Sequence, residues 1–184
     1  VRLVGSEMCI RDSALTSPLR SLSTRWSHMA DPLDLFLAAP PGLEPWLAEE
    51  LRELGYAPQT TAGGVTVSGT WSDVWRLNLE CRGATRVLAR IAEFRAFHLA
   101  QLDKRARKVA WGDVLRADRP VKIEATCRKS KIYHAGAASE RIARAIQEEL
   151  GAPVSDDAAL TLKVRIDDNN VQVSVDTSGE ALYK

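Results

Sequence analysis

The sequence predicts an α+β protein in which short strands alternate with amphipathic helices. Leucines recur at helical spacing over residues 43–54, which indicates one such helix. Apolar and polar residues alternate over residues 160–166 and 171–175, which indicates two paired strands. With 184 residues, 45% of them hydrophobic, the chain can form one large domain or two small ones, each with a core.

The elements of the N-terminal half follow the order β-α-β-β-α-β. The leucine-rich helix stops at Gly55, Gly63-Gly64 predicts a hairpin turn, and Thr70 or Ser72 caps a second helix. This order predicts a ferredoxin-like subdomain over residues 33–97. The first helix is expected at residues 43–55, and strands at residues 33–39, 57–62, 65–68 and 85–97. The helical side chains expected to face inward are Leu43, Trp46, Leu47, Leu51, Leu54, Val74, Trp75 and Leu77 to Leu79.

The C-terminal half continues with two more helices and three more strands. The first of these helices has a basic face, and Trp111 near its end is expected to be a core anchor. The last two strands form a hairpin around residues 167–170, Asp-Asp-Asn-Asn. The expected helices are residues 100–116 and 137–150, and the expected strands are residues 121–127, 160–166 and 171–175.

The charges are unevenly distributed, although the formal net charge is only +1. Residues 104–144 carry 12 Lys/Arg and 4 Asp/Glu, a net charge of +8. Residues 31–103 and 145–184 carry net charges of −4 and −5. A local basic field attracts polyanions, and the alternative interpretation is a basic surface that is merely solvated.

The basic turn that precedes the last predicted helix is the strongest candidate site. Its cations and the free N–H groups of a helix N-terminus are suited to hold phosphates. Two aromatic side chains follow, which suits them to stack on a base or contact a sugar. The predicted RNA-binding residues are Arg128, Lys129, Lys131, Tyr133, His134 and Arg141, with Lys104, Arg105 and Lys108 as an outer basic surface.

Other kinds of chemistry find no support in the sequence. Cys9, Cys81 and Cys127 are isolated, which argues against a disulfide framework and a zinc site. There is no glycine-rich nucleotide loop and no nucleophile motif, and the Asp pairs at residues 156–157 and 167–168 are expected to be solvated turn carboxylates. No apolar run reaches 18 residues. We therefore expect no metal, no membrane partner and no catalytic residue.

Residues 1–30 are set apart from the fold. Residues 1–13 resemble translated sequencing adapter, and residues 14–30 are rich in Ser, Thr and Arg. We expect a non-native or disordered leader, with the true start at Met29.

Four blocks of sequence resemble a known family: LFLAAPPGLEPWLAEELRELG, GGVTVSG, LNLECRGATRVLARIAEF and VSVDTSGEALYK. They resemble the N-terminal part of the bacterial 23S rRNA (guanine-N2)-methyltransferases, over about residues 33–184. In that family a ferredoxin-like segment and a THUMP domain precede a methyltransferase domain. The resemblance implies the N-terminal part of a ferredoxin-like subdomain at residues 31–71 and an α/β THUMP domain at residues 72–184. The strands near residues 85–97 would be shared.

The resemblance also implies a function for the basic segment. A THUMP domain binds RNA, here 23S rRNA, and positions it for a covalently linked downstream methyltransferase domain that uses S-adenosylmethionine. The chain stops at Lys184 without the family's glycine-rich cofactor loop or Asn-Pro-Pro-Tyr-type motif. We therefore expect no cofactor and no catalysis in this chain alone, and a cytoplasmic location.

Two other functions stay open on the sequence. The chain could be the THUMP module of a tRNA-modifying enzyme, which a competition between tRNA and an rRNA fragment would separate. It could also be a ferredoxin-like interaction domain that binds protein or a small ligand without RNA. That function predicts self-association that does not depend on RNA.

Overall fold

A computed structural model describes residues 32–182, so the predictions of a leader at residues 1–30 and of a start at Met29 lie outside the described residues. The α+β class is confirmed, and the elements follow the predicted order. The strands are β1 (Leu33–Ala38), β2 (Gln59–Thr61), β3 (Gly64–Gly69), β4 (Arg86–Arg95), β5 (Val121–Arg128), β6 (Leu160–Asp167) and β7 (Asn170–Asp176). The helices are α1 (Glu44–Glu53), α2 (Trp71–Glu80), α3 (Leu99–Ala106) and α4 (Ala135–Leu150).

All seven strands form one sheet in the order β2-β3-β1-β4-β7-β6-β5. The first four strands, with α1 and α2 between them, have the ferredoxin-like arrangement that the sequence predicts. Strands β5 and β6 are parallel and joined through α4, whereas the other neighbours are antiparallel. Strand β4 pairs with β1 on one side and with β7 on the other, so it connects the two halves of the sheet.

Two hydrophobic cores lie on the same face of this sheet. One core packs α1 and α2 against the ferredoxin-like strands, and the other packs α3 and α4 against β5, β6 and β7. Ala89 of the first core lies directly opposite Val175 of the second in the β4–β7 register. Because directly opposed residues point to the same face, both cores lie on one side and polar side chains line the other.

The two predicted hairpins depend on backbone conformations that the turn residues tolerate. Gly63 has φ 86°, and a Cβ on Gly64 would lie 2.2 Å from the carbonyl oxygen of Leu37. In the β6–β7 turn, Asp168 and Asn169 have φ values of 48° and 61°. Two consecutive positive φ values are typical of the tight turns that favour Asn, Asp and Gly, so both hairpins of the sequence analysis are confirmed.

The helix expected at residues 100–116 is shorter than predicted. Helix α3 ends at Ala106, and a separate 3-10 turn forms at Trp111–Asp113. The indole N–H of Trp111 donates to the carbonyl of Ala106 at 2.9 Å, and the indole is buried. The 3-10 turn after the early helix end places Trp111 in the core of the C-terminal half, which confirms it as a core anchor.

Four apolar side chains expected to face inward are exposed instead. The exposed fractions are 76% for Trp46, 57% for Trp75 and 86% for Leu79, and Leu43 is half exposed. Each helix presents only a narrow face to the sheet, formed by Leu47, Ala48 and Leu51 in α1 and by Val74 and Leu77 in α2. The prediction that these tryptophans are core residues was therefore wrong, because the amphipathic face is narrower than the apolar pattern.

Candidate nucleic-acid interface

The basic turn, which we define as residues 128–131, connects β5 to α4. Arg128, Lys129 and Lys131 are all exposed there, and Lys129 has φ 47°. The next residue, Ile132, is only 4% exposed and packs in the core of the C-terminal half. The turn is therefore pinned at one end by a buried side chain while its three cations project from the surface.

The cations of the basic turn have no acidic partners among residues 32–182. Cations elsewhere are mostly neutralised by close carboxylates, as in the pair of Arg86 with Asp176 at 2.6 Å. Apart from the predicted site, the cations without an ion pair in this range are Arg82, Arg95 and Arg119. The paired cations are Arg52, Arg76, Arg86, Arg90, Arg107, Arg116, Lys122, Arg144, Lys163 and Arg165. A surface cation without a carboxylate partner can attract a polyanion. The basic turn therefore concentrates positive charge that no nearby carboxylate neutralises.

Exposed aromatic rings lie beside these cations. Tyr133 is 75% exposed, and its ring centroid lies 4.2 Å from that of His134, with the planes at 45°. On the other side, the ammonium of Lys131 lies 5.6 Å from the ring centroid of Phe97, which is 42% exposed. Flat rings with one free side can stack on unpaired bases while neighbouring cations hold phosphates.

The N-terminus of α4 adds main-chain donors to the same surface. His134 is the N-cap and provides no side-chain cap, and the first turn contains no acidic residue. The other half of the chain differs, because Glu44 accepts N–H groups from Gly42 and Gly63 beside α1, and Asp73 completes a capping box in α2. The first-turn N–H groups of α4 thus remain available to an anion.

The remaining predicted residues lie in two other places. Lys104 and Arg105 on α3 and Lys108 just after it are all exposed. They line a shallow depression with His98 and Gln101, close to Phe97 in the chain. Arg141 lines a separate depression along α4. The structure therefore brings the basic turn and the Tyr133–His134 pair together. The cations near α3 lie on the far side of Phe97, and Arg141 lies in a depression of its own.

Arg95 and Phe97 lie beside this candidate surface, although neither is among the predicted residues. Arg95 ends β4 and is exposed, and it lies opposite Asn170, the first residue of β7. Arg128 ends β5 at the same end of the sheet, since Arg128 pairs with Asp167 and Asp167 with Asn170. Only the strand order reveals this proximity, because Arg95 and Arg128 lie far apart in the chain.

The two cysteines among residues 32–182 are both free thiols. Burial raises the pKa of the Cys81 thiol to about 11 and also raises that of Cys127, so both thiols stay protonated at neutral pH. Within residues 32–182 no three His, Cys, Asp or Glu side chains converge to hold a metal ion, and no helix in that range is long and apolar enough to cross a bilayer.

Comparisons with known proteins assign both halves of the chain. The family model of the RlmL ferredoxin-like domain matches residues 34–88, and that of the THUMP domain matches residues 97–176. A ribosomal RNA large subunit methyltransferase K/L from Syntrophotalea carbinolica is 34% identical over 164 residues, which cover 85% of this chain and 23% of the relative. The chain thus spans about a quarter of the length of that curated relative.

Solved structures share the same fold. A predicted N6-adenine-specific DNA methylase from Listeria monocytogenes superposes with a TM-score of 0.77 at 27% identity, covering 89% of this chain and 44% of that one. SMU.472, a putative methyltransferase solved with S-adenosylhomocysteine (SAH), gives 0.72 at 25% identity, covering 85% and 44%. The chain therefore carries an RlmL ferredoxin-like domain, followed along its sequence by a THUMP domain.

Proposed function

We propose that this chain is the RNA-binding part of an S-adenosylmethionine-dependent rRNA (guanine-N2)-methyltransferase, which acts in the cytoplasm. In this proposal it binds 23S rRNA and positions a guanine for a methyltransferase domain linked downstream. The names of the curated relatives support the substrate, and the SAH in the SMU.472 structure supports the cofactor of the whole enzyme. The methyl transfer itself would belong to the downstream domain.

The observation that carries the proposal is the unneutralised basic turn beside exposed rings. Arg128, Lys129 and Lys131 would contact phosphates, and the N–H groups at the start of α4 would bind another phosphate oxygen. Tyr133 and His134 would contact a base or a sugar of an unpaired nucleotide. The cations of α3, together with Arg95, would extend the field along the RNA, and Arg141 would contribute from the flank of α4.

A triple variant tests whether these cations bind RNA. We expect Arg128→Ala/Lys129→Ala/Lys131→Ala to weaken binding of a large-subunit rRNA fragment on the order of 10- to 100-fold, because three phosphate contacts are lost. The matched control is Arg52→Ala/Arg76→Ala/Arg116→Ala, which removes the same charge from exposed cations that are paired with Glu49, Glu80 and Asp118. Filter binding measures both. Equal losses in the two variants would contradict the proposal, because they would reflect net charge alone.

Competition identifies the nucleic acid. Unlabelled 23S rRNA fragment should displace the labelled fragment at lower concentration than tRNA or DNA of the same length. Better displacement by tRNA would assign the module to a tRNA-modifying enzyme, and better displacement by DNA would follow the name of the Listeria relative.

A second candidate function, binding of another protein, is favoured at a different surface, which lies on α2. Trp75 and Leu79 are one helical turn apart on α2 and both are exposed, which is typical of a surface that contacts protein. Self-association without RNA, measured by sedimentation and abolished by Trp75→Ala/Leu79→Ala, would support that function for the ferredoxin-like half.

A further inference from the structure

The turn between β6 and β7 lies against the basic turn and is bonded to it. The side-chain oxygen Oδ1 of Asn169 accepts the backbone N–H of Lys131 at 2.9 Å and the hydroxyl of Ser130 at 3.3 Å. The hydroxyl of Ser130 in turn accepts the N–H of Ile132 at 3.1 Å. The amide oxygen of Asn169 therefore holds the main chain at Lys131 directly and is linked to the main chain at Ile132 through the hydroxyl of Ser130.

The backbone of the same turn makes two further links. The carbonyl of Asn169 accepts the N–H of Ala96 at 2.9 Å, next to Phe97, whose ring faces the ammonium of Lys131. The N–H of Asp168 donates to the carbonyl of Arg128 at 3.3 Å. Asn169 thus ties together the end of β4, the basic turn and the β6–β7 turn.

Asn169 combines two properties that this position requires. Its φ of 61° lies in the left-handed region, which Asn and Gly tolerate better than most residues. It also provides an acceptor oxygen, which backbone N–H and hydroxyl donors need. Glycine would meet the first requirement but not the second.

We infer that Asn169 is a positioning residue for RNA: it holds the basic turn in the shape in which Arg128, Lys129 and Lys131 meet the phosphates together. Asn169 itself bears no charge and contacts no phosphate. This inference rests on the proposed function. Its physical basis is preorganisation, since a loop that is ordered before binding does not have to be ordered by the ligand.

Asn169→Gly is the direct test, because it removes the amide while keeping the φ. The control is Asp168→Gly, which changes the neighbouring left-handed residue of the same turn and leaves the Asn169 bonds in place. We expect Asn169→Gly to bind the rRNA fragment about tenfold more weakly than Asp168→Gly, with a similar melting temperature. Amide exchange, followed by NMR, should be faster at Lys131 and Ile132 in Asn169→Gly alone.

Two conservative variants separate positioning from stability. Asn169→Asp keeps an acceptor oxygen and should restore slow exchange at the Lys131 amide. Ser130→Ala removes the hydroxyl that bonds to both Asn169 and Ile132 and changes no residue of the β6–β7 turn. It should weaken RNA binding about threefold even if Asn169→Gly folds poorly.

The outcomes distinguish the inference from the proposed function. If the unmodified protein does not bind RNA, both the proposed function and the inference are contradicted. Normal binding by the unmodified protein, with equal affinities for Asn169→Gly, Ser130→Ala and Asp168→Gly, would overturn the inference alone.

Discussion

Glu50 shows at the residue scale how one side chain joins two distant segments. Its carboxylate accepts the N–H groups of Arg82 and Gly83 at 2.7 and 2.9 Å, and the thiol of Cys81 at 3.5 Å. These three residues form the connection between α2 and β4, whereas Glu50 belongs to α1. Hydrogen bonds to a charged acceptor are stronger than neutral ones, so this carboxylate stabilises the packing of α1 on the connection.

We expect Glu50→Ala to lower the free energy of unfolding by about 1–2 kcal/mol, since it removes charged hydrogen bonds and leaves backbone donors unpaired. Glu49→Ala is the control, because Glu49 only pairs with exposed Arg52 and should cost less than about 0.5 kcal/mol. Urea unfolding of both variants measures the difference. Equal values for the two would show that the Glu50 contacts do not stabilise the fold.

The sequence predicts which residues are basic, but it does not show which of them are neutralised. Arg107 lies on the predicted basic face of α3, yet its guanidinium contacts Asp103 at 3.1 Å and Glu148 at 2.5 Å. It joins the end of α3 to α4, whereas Lys104 on α3 and Lys108 just after that helix have no such partner. Glu148 is distant from Arg107 in the sequence. Only the packing of the two helices therefore shows that Arg107 is neutralised while the neighbouring lysines are not.

At the element scale, the first turn of α2 is stabilised by its own capping residues. The N–H of Thr70 donates to Asp73 Oδ2 at 2.7 Å, and the hydroxyl of Tyr56 donates to Oδ1 at 2.9 Å. The hydrogen bond from the Thr70 backbone is the main reason that the pKa of Asp73 lies below its usual value, although burial opposes it. The capping role of Thr70 is predictable from sequence, but the contact from Tyr56 is not.

We expect Asp73→Asn to lower the free energy of unfolding by about 1 kcal/mol at pH 7. A carboxyl with a depressed folded-state pKa stabilises the fold above its unfolded pKa, near pH 4, and this stabilisation disappears as pH falls through the lower folded value.

Urea unfolding at pH 7 and at pH 3 measures how the difference in unfolding free energy between Asp73→Asn and the unmodified protein depends on pH. This difference in unfolding free energy should be smaller at pH 3 than at pH 7. Glu53→Gln, which removes an exposed acid of α1 outside the capping box, is the control. A constant difference for Asp73→Asn would contradict ionisation as its cause.

The order of the elements was predictable from periodicity, whereas their ends and exposed faces were less so. Apolar alternation and turn residues correctly indicate both hairpins and the ferredoxin-like order. The exposure of Trp46 and Trp75, and the early end of α3 at Ala106, depend on how wide a face each helix buries. That width is set by tertiary packing, which a single sequence does not record.

At the scale of the whole molecule, the sheet brings together charges that the chain separates. The ends of β4 and β5 lie at one end of the sheet, and β6 and β7 between them meet in the Asn169 turn. The basic turn thus lies at the same end of the sheet as Arg95, which comes from the ferredoxin-like side. The sequence predicts the basic segment itself, but the turn that supports it becomes visible only in the fold.

The salt dependence of RNA binding tests the central claim most directly. Each phosphate contact contributes about 0.7 to 0.9 to the negative slope of log affinity against log salt concentration. We expect a steep slope for the unmodified protein, and a slope shallower by about 2 to 3 for Arg128→Ala/Lys129→Ala/Lys131→Ala. An unchanged slope in this variant, or a slope near zero for the unmodified protein, would contradict the claim that the basic turn binds RNA phosphates.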